Sequence, residues 1–276
     1  MSENENILSR IMQERKKDVA AAKRKVSLNE LLDEAEKRTA YFSLTQALRK
    51  SPVPRIIAEV KKASPSAGEI RPAYNPLAIA QAYASAGAAG ISVLTEPHHF
   101  LGSPGDLRAV RKVVNLPVLR KDFMCDTYQL AEAAAWGADV ILLIVAALEP
   151  EQCQMYHQAA LELNLETIVE VHTADELKVA LACEGAIIGV NSRNLKTLVT
   201  DLAVAHDLAK MIPDDRLSIA ESGIRTAEDV RGLMDAGYDG FLIGESFLRE
   251  TFPGKSLKAL ISQSQIKTHQ GRHDQY

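Results

Sequence analysis

From residue 55 onward the chain repeats one pattern: a short, nearly continuous apolar run, a polar or glycine-containing loop, then a stretch whose apolar positions recur at helical spacing. Eight such units follow one another, with runs at Ile56 to Val60, Gly90 to Leu94, Pro117 to Leu119, Val140 to Val145, Thr167 to Val171, Ala186 to Val190, Leu217 to Ala220 and Gly240 to Ile243. Helices are predicted to begin near Pro76, Pro104, Asp126, Glu149, Ala174, Leu202, Ala227 and Lys255. Strands that are apolar on both faces belong to a sheet covered on both sides, so runs of this kind separated by helices predict a parallel sheet. Eight units in roughly 210 residues fit an α/β fold of the (β/α)8 TIM-barrel type, whose size is typically about 250 residues. A doubly wound open sheet would carry a glycine-rich nucleotide loop after its first strand, and none follows Val60.

Ahead of the repeat lie additional N-terminal helices. Asn6 to Lys25 is a charged amphipathic stretch, Ser27 is placed to cap a second helix and Ser43 a third. Residues 1–50 are therefore expected to form a helical extension packed on a barrel of residues 51–267, with 268–276 a flexible tail and the whole a single domain. The extension either pads the barrel's outside or covers its mouth; the pattern supports both.

Composition narrows the functional classes. The chain has 276 residues, 46% of them hydrophobic, enough for one barrel with a sizeable core. A net charge of −4 gives no general attraction to nucleic acid or to an anionic membrane. The opening residues lack an apolar signal core, and Val140 to Leu148 is too short to span a bilayer, so a cytoplasmic protein is expected. Cys125, Cys153 and Cys183 have neither disulfide-framework nor zinc spacing and read as reduced structural thiols. His98–His99 lack ligand spacing, and His269 and His273 stand in a polar tail, so no metal site is expected.

In such barrels the working groups gather at the C-terminal ends of the strands. The first run ends in Glu59 and Lys61, which share a face with Ile57 because side chains two apart on a strand point the same way. The third leads into Arg120, Lys121, Asp122 and Phe123, of which only Lys121 and Phe123 share the face of Leu119. Lys121 is the cation expected in the mouth, since burial lowers a lysine's pKa and readies it to donate a proton, which arginine does not do. A structural ion pair with Glu59 or Glu170 is the competing reading. The fifth run ends at Glu170, with His172 beyond it either a mouth group or, as the favoured reading, a loop residue; the sixth gives Asn191, Ser192 and Arg193. Glu221-Ser222-Gly223 and Gly244-Glu245-Ser246 follow the seventh and eighth, where barrels commonly build a phosphate site, so a phosphorylated substrate is expected.

These strand ends carry seven motifs in order: EVKKASPSAG at Glu59 to Gly68, SVLTEPHHFLG at Ser92 to Gly102, LPVLRKDF at Leu116 to Phe123, VEVH at Val169 to His172, VNSRNL at Val190 to Leu195, AESGI at Ala220 to Ile224 and LIGESF at Leu242 to Phe247. Together they resemble the indole-3-glycerol phosphate synthases of tryptophan biosynthesis. The resemblance implies a carboxy-lyase that closes the ring of 1-(2-carboxyphenylamino)-1-deoxyribulose 5-phosphate with loss of carbon dioxide and water, needing no cofactor or metal. It implies Lys121 as general acid, Glu170 as acid or base in dehydration, Glu59 and Asn191 as orienting groups, and Lys61 as a charge partner of the substrate or a second proton donor. Ser64, Glu221, Ser222 and Arg193 would bind substrate, Phe100 and Phe123 would wall the anthranilate ring, and Gly223, Gly244 and the Glu245 backbone would hold the phosphate, with the Glu245 carboxylate turned away. It also allows transient contact with other enzymes of the same pathway. Two alternatives stand beside it: another phosphate-binding barrel such as phosphoribosylanthranilate isomerase, expected to carry a cysteine where Glu59 and Lys61 stand, and a non-catalytic ligand-binding barrel.

Overall fold

The computed structural model describes residues 6–265 except 72 and 196. The reading of 268–276 as a tail, and the pair His269 and His273, lie outside the described residues. Eight parallel strands close into a barrel: β1 (Ile56–Val60), β2 (Gly90–Leu94), β3 (Val118–Lys121), β4 (Val140–Ile144), β5 (Glu166–Val171), β6 (Ile187–Asn191), β7 (Ser218–Glu221) and β8 (Gly240–Ile243). Each pairs with its sequence neighbours, and β1 closes the ring by pairing with β8 through Ala58 opposite Ile243.

Alternation along each strand sorts the core into two layers. Ile57, Leu119, Leu142, Ile168, Ile187, Ile219 and Leu242 fill the barrel interior. Their strand neighbours, such as Ile56, Ala58, Val118, Ile141, Val169, Ile188, Ala220 and Phe241, pack outward under the helices. A strand buried on both faces has no polar face to reveal its period, which is why the runs look continuous in the sequence.

Expected and observed boundaries differ by a residue or two. The largest difference is at β3, which continues through Arg120 and Lys121. Charge did not end the strand because each of these side chains meets buried partners on its own face of the sheet. The last long helix starts at Pro253 instead of near Lys255, and a separate four-residue helix, Glu245–Leu248, follows β8 directly. A two-stranded ladder of Ala63–Ser64 with Gly68–Glu69 folds the first loop back on itself.

The N-terminal helices are α1 (Ile7–Lys23), α2 (Leu28–Glu36) and α3 (Leu44–Lys50), capped by Asn6, Ser27 and Ser43, with a full capping box between Ser27 and Glu30. They serve opposite ends of the barrel. Leu44 and Leu48 of α3 reach the interior beside Gly90 and Gly240, the first residues of β2 and β8. Leu8 and Ile11 of α1 join the same interior cluster as Phe123, beyond the C-terminal end of β3. The extension therefore does cover the mouth through α1.

Glu166 holds the α3 plug in place. Its carboxylate accepts from Ser43 Oγ at 2.6 Å and from the backbone N–H groups of Leu44 and Thr45 at 2.7 and 3.0 Å. Glu166→Ala leaves those donors without their acceptor and is expected to cost about 2 kcal/mol, by analogy with lost caps and buried hydrogen bonds. A lowered urea midpoint with unchanged turnover is the expected result; an unchanged midpoint would show that α3 does not depend on this anchor.

Candidate active site

The mouth of the barrel opens into a cavity of about 510 Å³. Glu59, Lys61, Lys121, Glu170, Asn191 and Arg193 line it together with Phe100, Phe123, Ser222, Gly223, Gly244 and Glu245. Two expected residues are not on its wall. Ser64 is buried behind Pro65 and Ser66, with its Oγ 3.4 Å from Ser66 Oγ, and Glu221 lies beneath Lys121 with only 1% of its surface exposed.

The floor is an ion cluster. Lys61 Nζ stands 2.6 Å from Glu59 Oε1, and Lys121 Nζ stands 2.5 Å from Glu221 Oε2 and 3.6 Å from Glu170 Oε2. Strand register places them so: Leu94 lies opposite Lys121 on β2 and β3, and Asn191 opposite Glu221 on β6 and β7. Burial raises the Glu59 carboxyl's pKa, but Lys61 and Lys121 outweigh burial and hold it below the ordinary range. Lys121 overturns the expectation from burial alone. Burial does pull its pKa down, yet Glu221, Glu170 and Glu59 more than compensate and hold it above the usual lysine range. Its closest partner is Glu221, neither of the carboxylates expected. Glu221 in turn is pushed up to about 7 by burial, against Lys121 and with help from Glu170. The ammonium is thus a permanently loaded donor whose direction a carboxylate fixes.

Behind the floor, on the other face of β3, Arg120 donates to Asp122, to Glu132 and to the Gln129 carbonyl. Asp122 also takes both Nε and NH2 of Arg15 from α1, at 3.0 and 2.8 Å, and the Thr95 hydroxyl at 2.7 Å. Arg15 extends the buried stripe Leu8, Ile11, Met12, Val19 of α1, and that helical spacing was the signal that could have marked it.

One side of the cavity is apolar. Phe100 and Phe123 stand with ring centroids 6.0 Å apart and planes tilted by 39°, and Ile7, Leu8 and Ile11 of α1 complete the wall. Phe100 is aimed by Glu96, a buried carboxylate that accepts from the backbone N–H groups of His98, His99 and Phe100 at 2.9, 2.7 and 2.9 Å. No motif reading singled out Glu96.

The opposite side is backbone. Ser222 and Gly223 both have positive φ, 64° and 81°, a turn that points main chain at the cavity and that glycine adopts without strain. A Cβ on Gly244 would stand 2.7 Å from Glu59 Oε1, so only glycine lets β8 end this close to the floor. The Glu245 carboxylate bonds Arg249 at 2.9 Å and lies 3.6 Å from Arg193 NH2. Arg193 itself is fixed by Ser66 Oγ and Thr200 Oγ1, both at 3.1 Å.

His172 lies in the loop after β5, as its reading had it, and off the cavity wall. Its ring turns inward, with Nε2 3.5 Å from Glu170 Oε1 and Nδ1 3.2 Å from Glu176 Oε2. Cys125 is half-buried, and burial pushes its thiol up to about 11, which removes it as a nucleophile at neutral pH.

A family model described as indole-3-glycerol phosphate synthase matches residues 8–260. The chain is 43% identical to the indole-3-glycerol phosphate synthase of Carboxydothermus hydrogenoformans over 262 residues, covering 92% of this chain and 99% of that protein. It is 45% identical to the protein of the same description from Rhodospirillum rubrum over 260 residues, covering 93% and 99%. Among solved structures, thiamine phosphate pyrophosphorylase from Pyrococcus furiosus superposes with a TM-score of 0.57 at 13% identity, covering 76% of this chain and 95% of that one. At such identity the likeness concerns the barrel fold alone.

Proposed function

Since this chain belongs to the indole-3-glycerol phosphate synthase family, we propose that its cavity closes the ring of 1-(2-carboxyphenylamino)-1-deoxyribulose 5-phosphate, releasing carbon dioxide and water. The observation that carries this reading is the convergence of Lys121 with Glu170, Glu221 and the Glu59–Lys61 pair on one cavity floor, between an aromatic wall and a backbone turn.

The anthranilate ring lies against Phe100, Phe123 and the apolar residues of α1, where its face is buried and its carboxylate leaves water behind. The phosphate lies at the other end, against the Gly223 turn, Gly244 and the Glu245 N–H, with Lys61 and Arg193 supplying positive charge. Ser64 and Ser222 support this end. Two-point binding holds the ring carbon that bears the carboxylate facing the ribulose carbonyl. Lys121 donates to that carbonyl oxygen as the carbon–carbon bond forms, loss of carbon dioxide restores aromaticity, and Glu170 then acts as acid or base as the hydroxyl leaves as water. Glu59 and Asn191 orient the reacting groups, and Glu221 holds Lys121 in line. This chemistry uses protons alone and assigns no cofactor or metal to the chain.

No helix among the described residues is long and apolar enough to cross a membrane. The proposal places the reaction in the cytoplasm, on a phosphorylated small molecule, without nucleic acid and with transient contacts to other enzymes of tryptophan biosynthesis. Purified protein in the presence of a chelator is expected to turn the carboxyphenylamino ribulose phosphate into indole-3-glycerol phosphate. A folded sample that binds the substrate without turning it over would overturn the proposal and favour a ligand-binding barrel.

A further inference from the structure

Beside the ion cluster stands a histidine that the seven motifs include without giving it a task. His172 is held from one side by Glu176 of the helix Ala174–Leu181, whose Oε2 accepts from the His172 backbone N–H at 2.7 Å and lies 3.2 Å from its Nδ1. On the other side, its Nε2 faces Glu170 Oε1 at 3.5 Å. Both facing atoms are buried, and neither has a hydrogen-bond partner among the described residues. Leaving two such atoms unmade is costly in a packed interior, and a small rotation of either side chain would join them. Glu170 Oε2, the other oxygen of that carboxylate, faces Lys121 at 3.6 Å.

We propose that His172, clamped by Glu176, is the positioning residue for Glu170: its Nε2–H holds one carboxylate oxygen so that the other stays aimed at Lys121 and the reacting atoms. The inference rests on the activity proposed above. The charged groups acting on the ring are Glu176 from the following helix, Glu170 from β5 and Glu221 from β7. Burial alone would drive the imidazole neutral, but these three carboxylates outweigh it and raise its pKa above the ordinary value. The ring therefore keeps its second proton to higher pH than a free imidazole, with both nitrogens donating while it is charged, and it loses this role as pH rises through its raised pKa. Glu176 acts as the orienting carboxylate behind a histidine does in other enzymes, fixing which nitrogen faces the working group.

The experiment compares wild type, His172→Asn, His172→Gln and Glu176→Gln in kcat, KM, pH dependence of kcat and melting temperature. Asparagine reaches only the position of Nδ1, so His172→Asn is expected to lower kcat by about 10-fold or more while KM stays within about 3-fold. Glutamine reaches the position of Nε2 and is expected to recover part of the rate. It carries no charge and does not titrate, so the alkaline limb that the imidazolium sets is lost from its profile. Glu176→Gln weakens the imidazolium, so the alkaline limb moves down. Wild-type kcat and an unmoved profile in His172→Asn would overturn the inference. So would a loss of rate accompanied by a lower melting temperature with the profile unmoved, since that marks packing alone. Wild-type turnover is measured first: its absence overturns the proposed activity, whereas turnover with an indifferent His172→Asn overturns only the role of His172.

Discussion

Lys121→Ala is expected to lower kcat by about 100-fold or more, the scale of a lost general acid. Three carboxylates hold the ammonium, and its distance of 2.5 Å from Glu221 leaves it little freedom of direction. Alanine removes both the donor and the charge that balances Glu170 and Glu221. Burial already pushes the Glu221 carboxyl up to about 7, so it can take up a proton when its partner is gone, which limits the cost to the fold. The loss is therefore expected in kcat more than in KM, which the phosphate end and the aromatic wall set. Lys121→Arg is the sharper control: it keeps a cation at the site but replaces the compact ammonium, aimed by Glu221, with a larger planar fork that is a still weaker acid, and it should fall with alanine. Steady-state kinetics decide the matter, and an alanine variant within a few-fold of wild type removes Lys121 from the acid's role.

A second large effect is expected from Asp122→Ala. Asp122 is fully buried and binds two arginines, Arg120 behind β3 and Arg15 from α1, besides Thr95. Burial raises its carboxyl's pKa, but these two cations outweigh burial and hold it below the ordinary range. Removing one partner of a buried ion network strands the others without compensation, a loss of about 3–5 kcal/mol. For a chain of this size that corresponds to a melting temperature lower by roughly 10 °C. Catalysis should register it too, in a distinct way. Without Asp122 the buried end of Arg15 has lost its seat, and α1 carries Ile7, Leu8 and Ile11 to the apolar wall. KM should rise while kcat changes less, since in the proposed binding mode α1 meets the ring of the substrate and no reacting proton. A variant with wild-type melting and wild-type KM would show that α1 is seated by its apolar stripe alone.

Much of the site was legible beforehand because a barrel converts position in the sequence into position in space. Lys121 and Asn191 end their strands and Glu59 and Glu170 stand one residue before the end, all on the interior face, and a closed parallel sheet brings such positions to one rim. Arg15 and His172 were harder to see. Arg15 lies over a hundred residues from Asp122, and an arginine on an amphipathic helix looks like one that reaches solvent. His172 follows a strand end, where a loop residue and an inward-facing ring have the same pattern. The choice depends on Glu176, one helical turn further on, holding the backbone and ring together.

Local order settled the architecture: apolar runs of strand length, helical spacing between them and caps at Ser27 and Ser43 admit few closed arrangements, since short-range sterics and periodic burial operate within a few residues. Charge states lay beyond its reach. Burial predicts a Lys121 ready to lose its proton, and the folded chain surrounds it with Glu221, Glu170 and Glu59 and keeps the proton on. Electrostatic energy depends on distance in space and on surrounding solvent, and both are set only when strands from opposite ends of the chain meet.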